Sequence, residues 1–208
     1  RWANALHIQT RPDVIRRALL FKSGERVSAR LIDETERVLR GNRYLYDVQF
    51  RPLAYLDGVV DIEVMTRDTW SLDLGASAGR SGGANSSGIQ LRDYNLFGTG
   101  IAVGIGRSRN VDRSSNEFQF ANEHAFGTWA SLRYSHAANS DGRRDAVSVV
   151  RPFYSLDARW TAGATASKDE RIDSIYNAGT VASQYRHRED RAEVFGGWSE
   201  GLVDGWTS

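Results

Sequence analysis

The chain has 208 residues, 40% hydrophobic and 25% charged, with a formal net charge of +1 and a mean hydropathy of -0.48. So small a net charge supplies no general attraction for nucleic acid, and the lack of cysteine removes disulfides and thiolate metal sites. No run of about eighteen apolar residues is present to cross a membrane as a helix, whereas a β-barrel stays open, since only half of each barrel strand meets lipid.

The opening residues, Arg1-Trp2-Ala3-Asn4, lack the charged stretch and apolar core of a signal peptide. They and the closing Asp204 to Ser208 read as cuts inside a longer protein. Leu6 and Ile8 suit a short strand. Thr10, Pro12 and Asp13 mark a helix start, with proline in the first turn and an acid near the helix N-terminus. Val14, Ile15, Ala18 and Leu19 recur at helical spacing until Lys22-Ser23-Gly24-Glu25 interrupts them. Ser28 then caps a second helix with Leu31, Ile32, Thr35, Val38 and Leu39 on one face, closed by Gly41-Asn42. Strands over 44–53 and 59–67 follow, joined at Asp57-Gly58, a hairpin signal because tight hairpin turns need positive φ at both central positions.

From Trp70 onward helical periodicity gives way to glycine, serine and alternation. Nine strands are predicted, over 72–79, 88–93, 100–109, 116–125, 128–137, 145–151, 156–167, 174–186 and 191–198. Three connections are short and aromatic, at Asn95-Leu96-Phe97-Gly98, His124-Ala125-Phe126-Gly127 and Pro152-Phe153-Tyr154. Those between them, 80–87, 110–115, 138–144 and 168–173, read as longer polar loops. In an up-and-down meander every second connection lies at the same end. One end is thus predicted to carry aromatic turns and the other hydrophilic loops, as on the periplasmic and extracellular sides of an outer-membrane barrel.

Alternation is clearest from Leu156 to Ser167. Leu156, Ala158, Trp160, Ala162, Ala164 and Ala166 share one surface, predicted to face lipid, while Asp157, Arg159, Thr161, Thr165 and Ser167 share the other. These twelve residues exceed the common globular strand of about five or six and suit a membrane crossing of roughly nine to eleven.

Several segments carry a resemblance to a known family. Leu20-Phe21-Lys22-Ser23-Gly24-Glu25, Glu34 to Arg40, Tyr44-Leu45-Tyr46-Asp47-Val48 and Val60 to Asp68 resemble a POTRA (polypeptide-transport-associated) domain spanning 1–69. Leu91-Arg92-Asp93-Tyr94-Asn95-Leu96-Phe97-Gly98-Thr99-Gly100 resembles the early barrel hairpin of the Omp85 superfamily, which includes related surface antigens. The resemblance implies an α+β POTRA domain, ordered β-α-α-β-β, followed over 70–208 by the first half of an antiparallel transmembrane β-barrel of sixteen strands. It places the barrel in the bacterial outer membrane and the POTRA portion in the periplasm. The family's arginine-glycine-aromatic lid motif and terminal strand signal are expected beyond Ser208; Arg40-Gly41 closes a helix and is followed by Asn42.

Site assignments follow from the resemblance. Asn95, Phe97, Gly98 and Gly100 form a periplasmic turn. Tyr46, Val48 and Phe50 lie on a POTRA edge that a client strand completes. Leu72, Leu74, Gly75 and Gly79 lie on the first barrel strand, whose pairing with the last closes a seam that the glycines loosen. The implied function is insertion or translocation of unfolded or nascent polypeptide, with lipid and accessory envelope proteins as further partners and no nucleic acid. The alternative is a barrel that anchors or exports a fused or partner passenger, of the two-partner-secretion or patatin-fusion type.

Covalent chemistry finds little support in the residues. Gly75-Ala76-Ser77-Ala78-Gly79 matches the nucleophile-elbow pattern, which needs a strand-to-helix turn, but Arg80-Ser81-Gly82-Gly83 follows in place of a helix. Gly98, Gly100, Gly104 and Gly106 likewise lack the helix that would complete a phosphate loop. His7, His124, His136 and His187 are spaced too widely for a helical metal pair. The mixed-charge stretches 168–171 and 186–191 read as solvated turns. No enzyme, cofactor or metal is expected, and a half-barrel on its own is expected to aggregate through its open edges.

Overall fold

A computed structural model describes residues 8–81, 83–203 and 205–207. The chain divides into two compact units: residues up to Ser71 together with Tyr94–Gly100, and Leu72–Asp93 together with Ile101 onward. The segment Tyr94–Gly100, which the sequence reading places in the barrel, belongs to the first unit.

In the first unit, α1 spans Pro12–Arg17, α2 Ala29–Arg40, β1 Leu45–Leu56 and β2 Val59–Asp68. Leu6 lies outside the described residues, and Ile8 is not in a strand. Pro12 opens α1 and Asp13 sits in its first turn, but the helix stops at Arg17, short of Leu19. The Leu31 amide donates to Ser28 Oγ at 3.2 Å, the cap expected of α2. Thr35 and Leu39 are fully buried, and so is Val48 of β1. They are buried because α2 packs on β1 with its apolar stripe inward. Buried Glu34 is paired with Arg30 at 3.3 Å and Arg37 at 3.8 Å. The hairpin turns at Asp57 and Gly58, with φ of 51° and 82°, and β1 continues to Leu56, beyond the expected end at 53.

The second unit is an eight-stranded antiparallel sheet in sequence order, β3 (Leu72–Ser81), β4 (Ala84–Asp93), β5 (Ile101–Arg109), β6 (Ser114–Ala125), β7 (Ala130–Asn139), β8 (Gly142–Arg151), β9 (Trp160–Asn177) and β10 (Thr180–Trp198). β3 and β10 are its two edges, so the sheet is open. A two-residue hairpin, β11 (Leu202–Val203) with β12 (Trp206–Thr207), follows.

Eight strands replace the nine expected, for a physical reason. The stretches 168–173 and 186–191 are mid-strand, with Lys168 opposite Asp190, Asp169 opposite Glu189 and Glu170 opposite Arg188. Cross-strand pairs of opposite charge stabilise a ladder, and Lys168–Asp190 and Arg188–Glu170 are such pairs, at 3.9 and 3.1 Å. The reversal comes instead at Ala178-Gly179, with φ of 48° and 83°. Loop lengths also reverse. The polar connections shrink to 82–83, 110–113, 140–141 and 178–179, because the strands run on into them. The aromatic ones, 94–100, 126–129 and 152–159, include the longest. Leu156 and Ala158 precede β9 and are not in a strand.

Candidate functional site

Side chains alternate across the sheet, and the register aligns them into two chemically opposite faces. Gly75, Gln90, Gly106 and Glu117 are directly opposed in one row, which continues to Ala137, Arg144, Asp169 and Glu189. On the other face lie Leu74, Leu91, Ile105 and Phe118. Burial runs against polarity. Gly104 and Ser115 are buried on the polar face and Glu117 and Gln119 half-buried, whereas Ile105 is 57% exposed and Leu74 70%. A water-soluble sheet does the reverse, because exposed apolar area costs about 25 cal/mol per Å².

The apolar face is a band and not a whole surface. The row from Leu74 through Leu91, Ile105 and Phe118 continues into His136, Asp145, Lys168 and Asp190. The adjoining row stays apolar from β5 to β10, through Val103, Phe120, Tyr134, Val147, Ala166 and Ala192. The band thus drifts obliquely across the rows of paired residues. A level apolar belt does so when the strands tilt by roughly 35–45°, as in barrels. Of the residues expected to face lipid, Ala162 and Ala164 lie in this band and Trp160 at its end. Ala158 is 5% exposed in the turn before β9, and Leu156, two positions earlier, is exposed but also outside the strand.

Among the described residues β3 pairs with β4 alone, so its other edge is open to a partner strand. Leu72, Leu74, Gly75 and Gly79 all lie on it. A Cβ at Gly75 would meet only Gln90, at ordinary contact distance, whereas one at Gly79 would lie 2.9 Å from the Ser86 hydroxyl, which would have to turn aside. β1 is also an edge, and it is defended. The Val48 amide donates to Asp47 Oδ1 at 3.0 Å, and its carbonyl accepts from Arg40 at 3.2 Å. Irregularities interrupt the ladder between Leu45 and Asp47 and between Pro52 and Ala54, and Pro52 has no amide hydrogen to offer. Of the edge residues expected to pair, Val48 is covered, Phe50 sits 6.2 Å from the Phe21 ring, and Tyr46 lies under the Arg67 guanidinium.

The expected turn residues form a built site within the first unit. Asn95, 3% exposed, donates from Nδ2 to Thr10 Oγ1 at 2.7 Å and accepts the Gly100 amide at its Oδ1 at 2.7 Å. The Thr10 hydroxyl in turn donates to Asp68. The Arg11 amide donates to the Gly98 carbonyl at 2.9 Å. A Cβ at Gly98 would lie 2.2 Å from the Gln9 carbonyl oxygen, and one at Gly100 would lie 2.8 Å from a Val14 methyl. The turn is therefore clasped against the start of α1 and the end of β2. Thr10 and Asp68 complete the clasp, and sequence reasoning missed them. Asn95 is legible from its turn context, but its partners lie 85 positions away in one case.

On the polar face, ionic groups gather at the end of the sheet away from the aromatic turns. Arg171 bonds Asp169 at 2.6 Å and Asp173 at 2.9 Å, and Arg113 pairs with Asp141 at 3.2 Å. Asp173, then Asp169, push the Arg171 guanidinium above its usual value. A hollow of about 440 Å³ is lined by Arg113, Glu117, Gln119, Ser135 and Arg144, among others. Ser77 sits mid-strand in β3, with no elbow around it. His136 bonds Asp145 at 2.7 Å, while His187 lies among Asp173 and Glu189 on β9 and β10. His7 lies outside the described residues.

No family model matches the chain, and no curated protein does. Among solved structures, BamA from Haemophilus ducreyi lacking POTRA domains 1-3 is similar, with a TM-score of 0.55 and 14% identity over 94% of this chain and 42% of that one. The chain thus spans less than half the length of that neighbour. Taken with the open meander and its inverted faces, the likeness shows that this chain shares the fold of part of that structure.

Proposed function

We propose that the chain is the membrane-entry portion of an Omp85-type outer-membrane protein that moves unfolded polypeptide into or across the membrane. The observation that carries this reading is the inversion of burial and polarity in the sheet, bounded as an oblique apolar band. The first unit is read as a periplasmic POTRA domain. Its helix-helix-hairpin order supports this, and so does a structural match over 94% of the chain, more than the sheet unit alone provides. Client pairing takes place at the open edge of β3, not at β1, where Arg40 and Asp47 already hold Val48. The mechanism is backbone pairing along a seam, without covalent chemistry, and accessory envelope proteins act on the same assembly.

The test is a pair of arginines one residue apart. Ala164 lies mid-band, opposite Val149 and Val194, while Thr165 lies on the polar face opposite Ser148 and Glu193. Ala164→Arg in the full-length protein is expected to cost about 2–4 kcal/mol and impair assembly, whereas Thr165→Arg is tolerated. Heat-modifiable migration after outer-membrane assembly reads the difference, and equal effects at the two positions refute the facing. Disulfide trapping of a client cysteine against Leu72→Cys but not Tyr46→Cys is the expected outcome for the pairing edge.

A further inference from the structure

At the aromatic-turn end of the apolar band, five side chains from β6 to β9 and the turns between them stack in series. Arg151 is the outward residue that follows Val147 and Val149 on β8, opposite Ala162. Its guanidinium lies 3.7 Å from the centre of the Trp160 ring and 4.8 Å from that of Tyr154. It donates to the Tyr154 hydroxyl at 3.3 Å and to the Trp160 carbonyl. Tyr154 is stacked on Trp129 at 4.4 Å with 5° between the planes, and His124 meets Trp129 edge-on. Trp160, opposite Trp198, is half exposed, and Arg159 beside it in sequence is exposed.

Neither arginine has a carboxylate partner among the described residues. A guanidinium carries five N–H donors, of which Trp160 and Tyr154 take two. Its planar fork matches a phosphate's oxygens. Rings of this kind favour the boundary where one end of a group is apolar and the other wet. At the boundary of a hydrocarbon band, the anion at that depth is the headgroup phosphate.

We propose that Arg151, framed by Trp160 and Tyr154, binds the phosphate of an anionic phospholipid at the turn end of the band. The site rests on the membrane reading above. Lipid bound there would fix the depth of β8 and β9 in the bilayer.

The test uses full-length protein in nanodiscs of phosphatidylcholine doped with phosphatidylglycerol, with retained lipid counted by native mass spectrometry. Wild-type protein is expected to retain phosphatidylglycerol selectively. Arg151→Gln should lower that retention about tenfold, the scale of one lost charge-assisted interaction. Arg151→Lys, which keeps the charge without the fork, falls between them. Arg151→Lys carries the test if Arg151→Gln does not assemble, and Arg159→Gln, which alternates to the opposite face from Trp160, is expected to retain as much lipid as wild type. Excess inorganic phosphate should not displace the lipid; displacement would make this a free-anion site and overturn the proposal. Integrated protein with equal retention in all variants overturns the site alone, while wild-type protein that fails to integrate overturns both the site and the membrane reading.

Discussion

Two Phe-Gly turns in this chain share a backbone and differ in surroundings. Phe97-Gly98, between β4 and β5, has φ of 54° and 72°, and Phe126-Gly127, between β6 and β7, has 58° and 68°. Each is followed by a threonine whose hydroxyl donates back to a carbonyl three positions earlier, Thr99 to Leu96 at 2.6 Å and Thr128 to Ala125 at 3.0 Å. Yet a Cβ at Gly98 would collide with Gln9, while at Gly127 it would meet nothing within 4 Å. The same local instruction thus makes a clasp in the first unit and a free turn in the second. Turn geometry and turn function are set at different levels.

The largest expected effect breaks this contrast at its strongest point. Gly98→Ala combines a positive-φ penalty of about 1–2 kcal/mol with displacement of the Gln9 backbone. Exchange protection of the Arg11 amide, which donates to Gly98, should collapse in the full-length protein. If that amide stays protected, the clasp is not the reason for the glycine.

Asn95→Ala follows. It strips the Thr10 hydroxyl and the Gly100 amide of their partner and should cost about 1–3 kcal/mol, read as faster exchange at Gly100 with the sheet amides unchanged. Gly127→Ala, with the same φ and open space, should cost only the local penalty of about 1 kcal/mol. A cost equal to that of Gly98→Ala would erase the distinction between the turns. Thr128→Val, which removes the bond to the Ala125 carbonyl and the one accepted from the Ala130 amide, is expected near 0.5–1 kcal/mol, read as a shift of the denaturant midpoint by a few tenths molar.

Much of the first unit was legible. Ser28 and the stripe from Leu31 to Leu39 are read from spacing, and Asp57-Gly58 from turn chemistry, since both are properties of contiguous residues. The ladder of 168–173 against 186–191 was not legible. A mixed-charge segment is polar whether it is a solvated loop or a strand with oppositely charged partners at some positions, here Lys168 with Asp190 and Glu170 with Arg188, and only pairing distinguishes the two. The defended edge at Val48 was hidden for a similar reason, because Arg40 reaches it from the end of α2. In Leu156–Ser167 the alternation was real from Trp160 onward, but its first residues belong to the turn, where Ala158 is buried.

What the amino-acid order alone determined is therefore local: where the backbone takes positive φ, where helices are capped, and that strands such as 160–167 have one apolar and one polar side. Tertiary structure decided which side is shielded, how the apolar residues line up into an oblique band, and which turn is clasped. Alternation has the same period in a soluble sheet and in a barrel wall, so a single strand cannot say which of its faces meets solvent. That answer comes from register across eight strands and from burial, both of which depend on residues far apart in the chain.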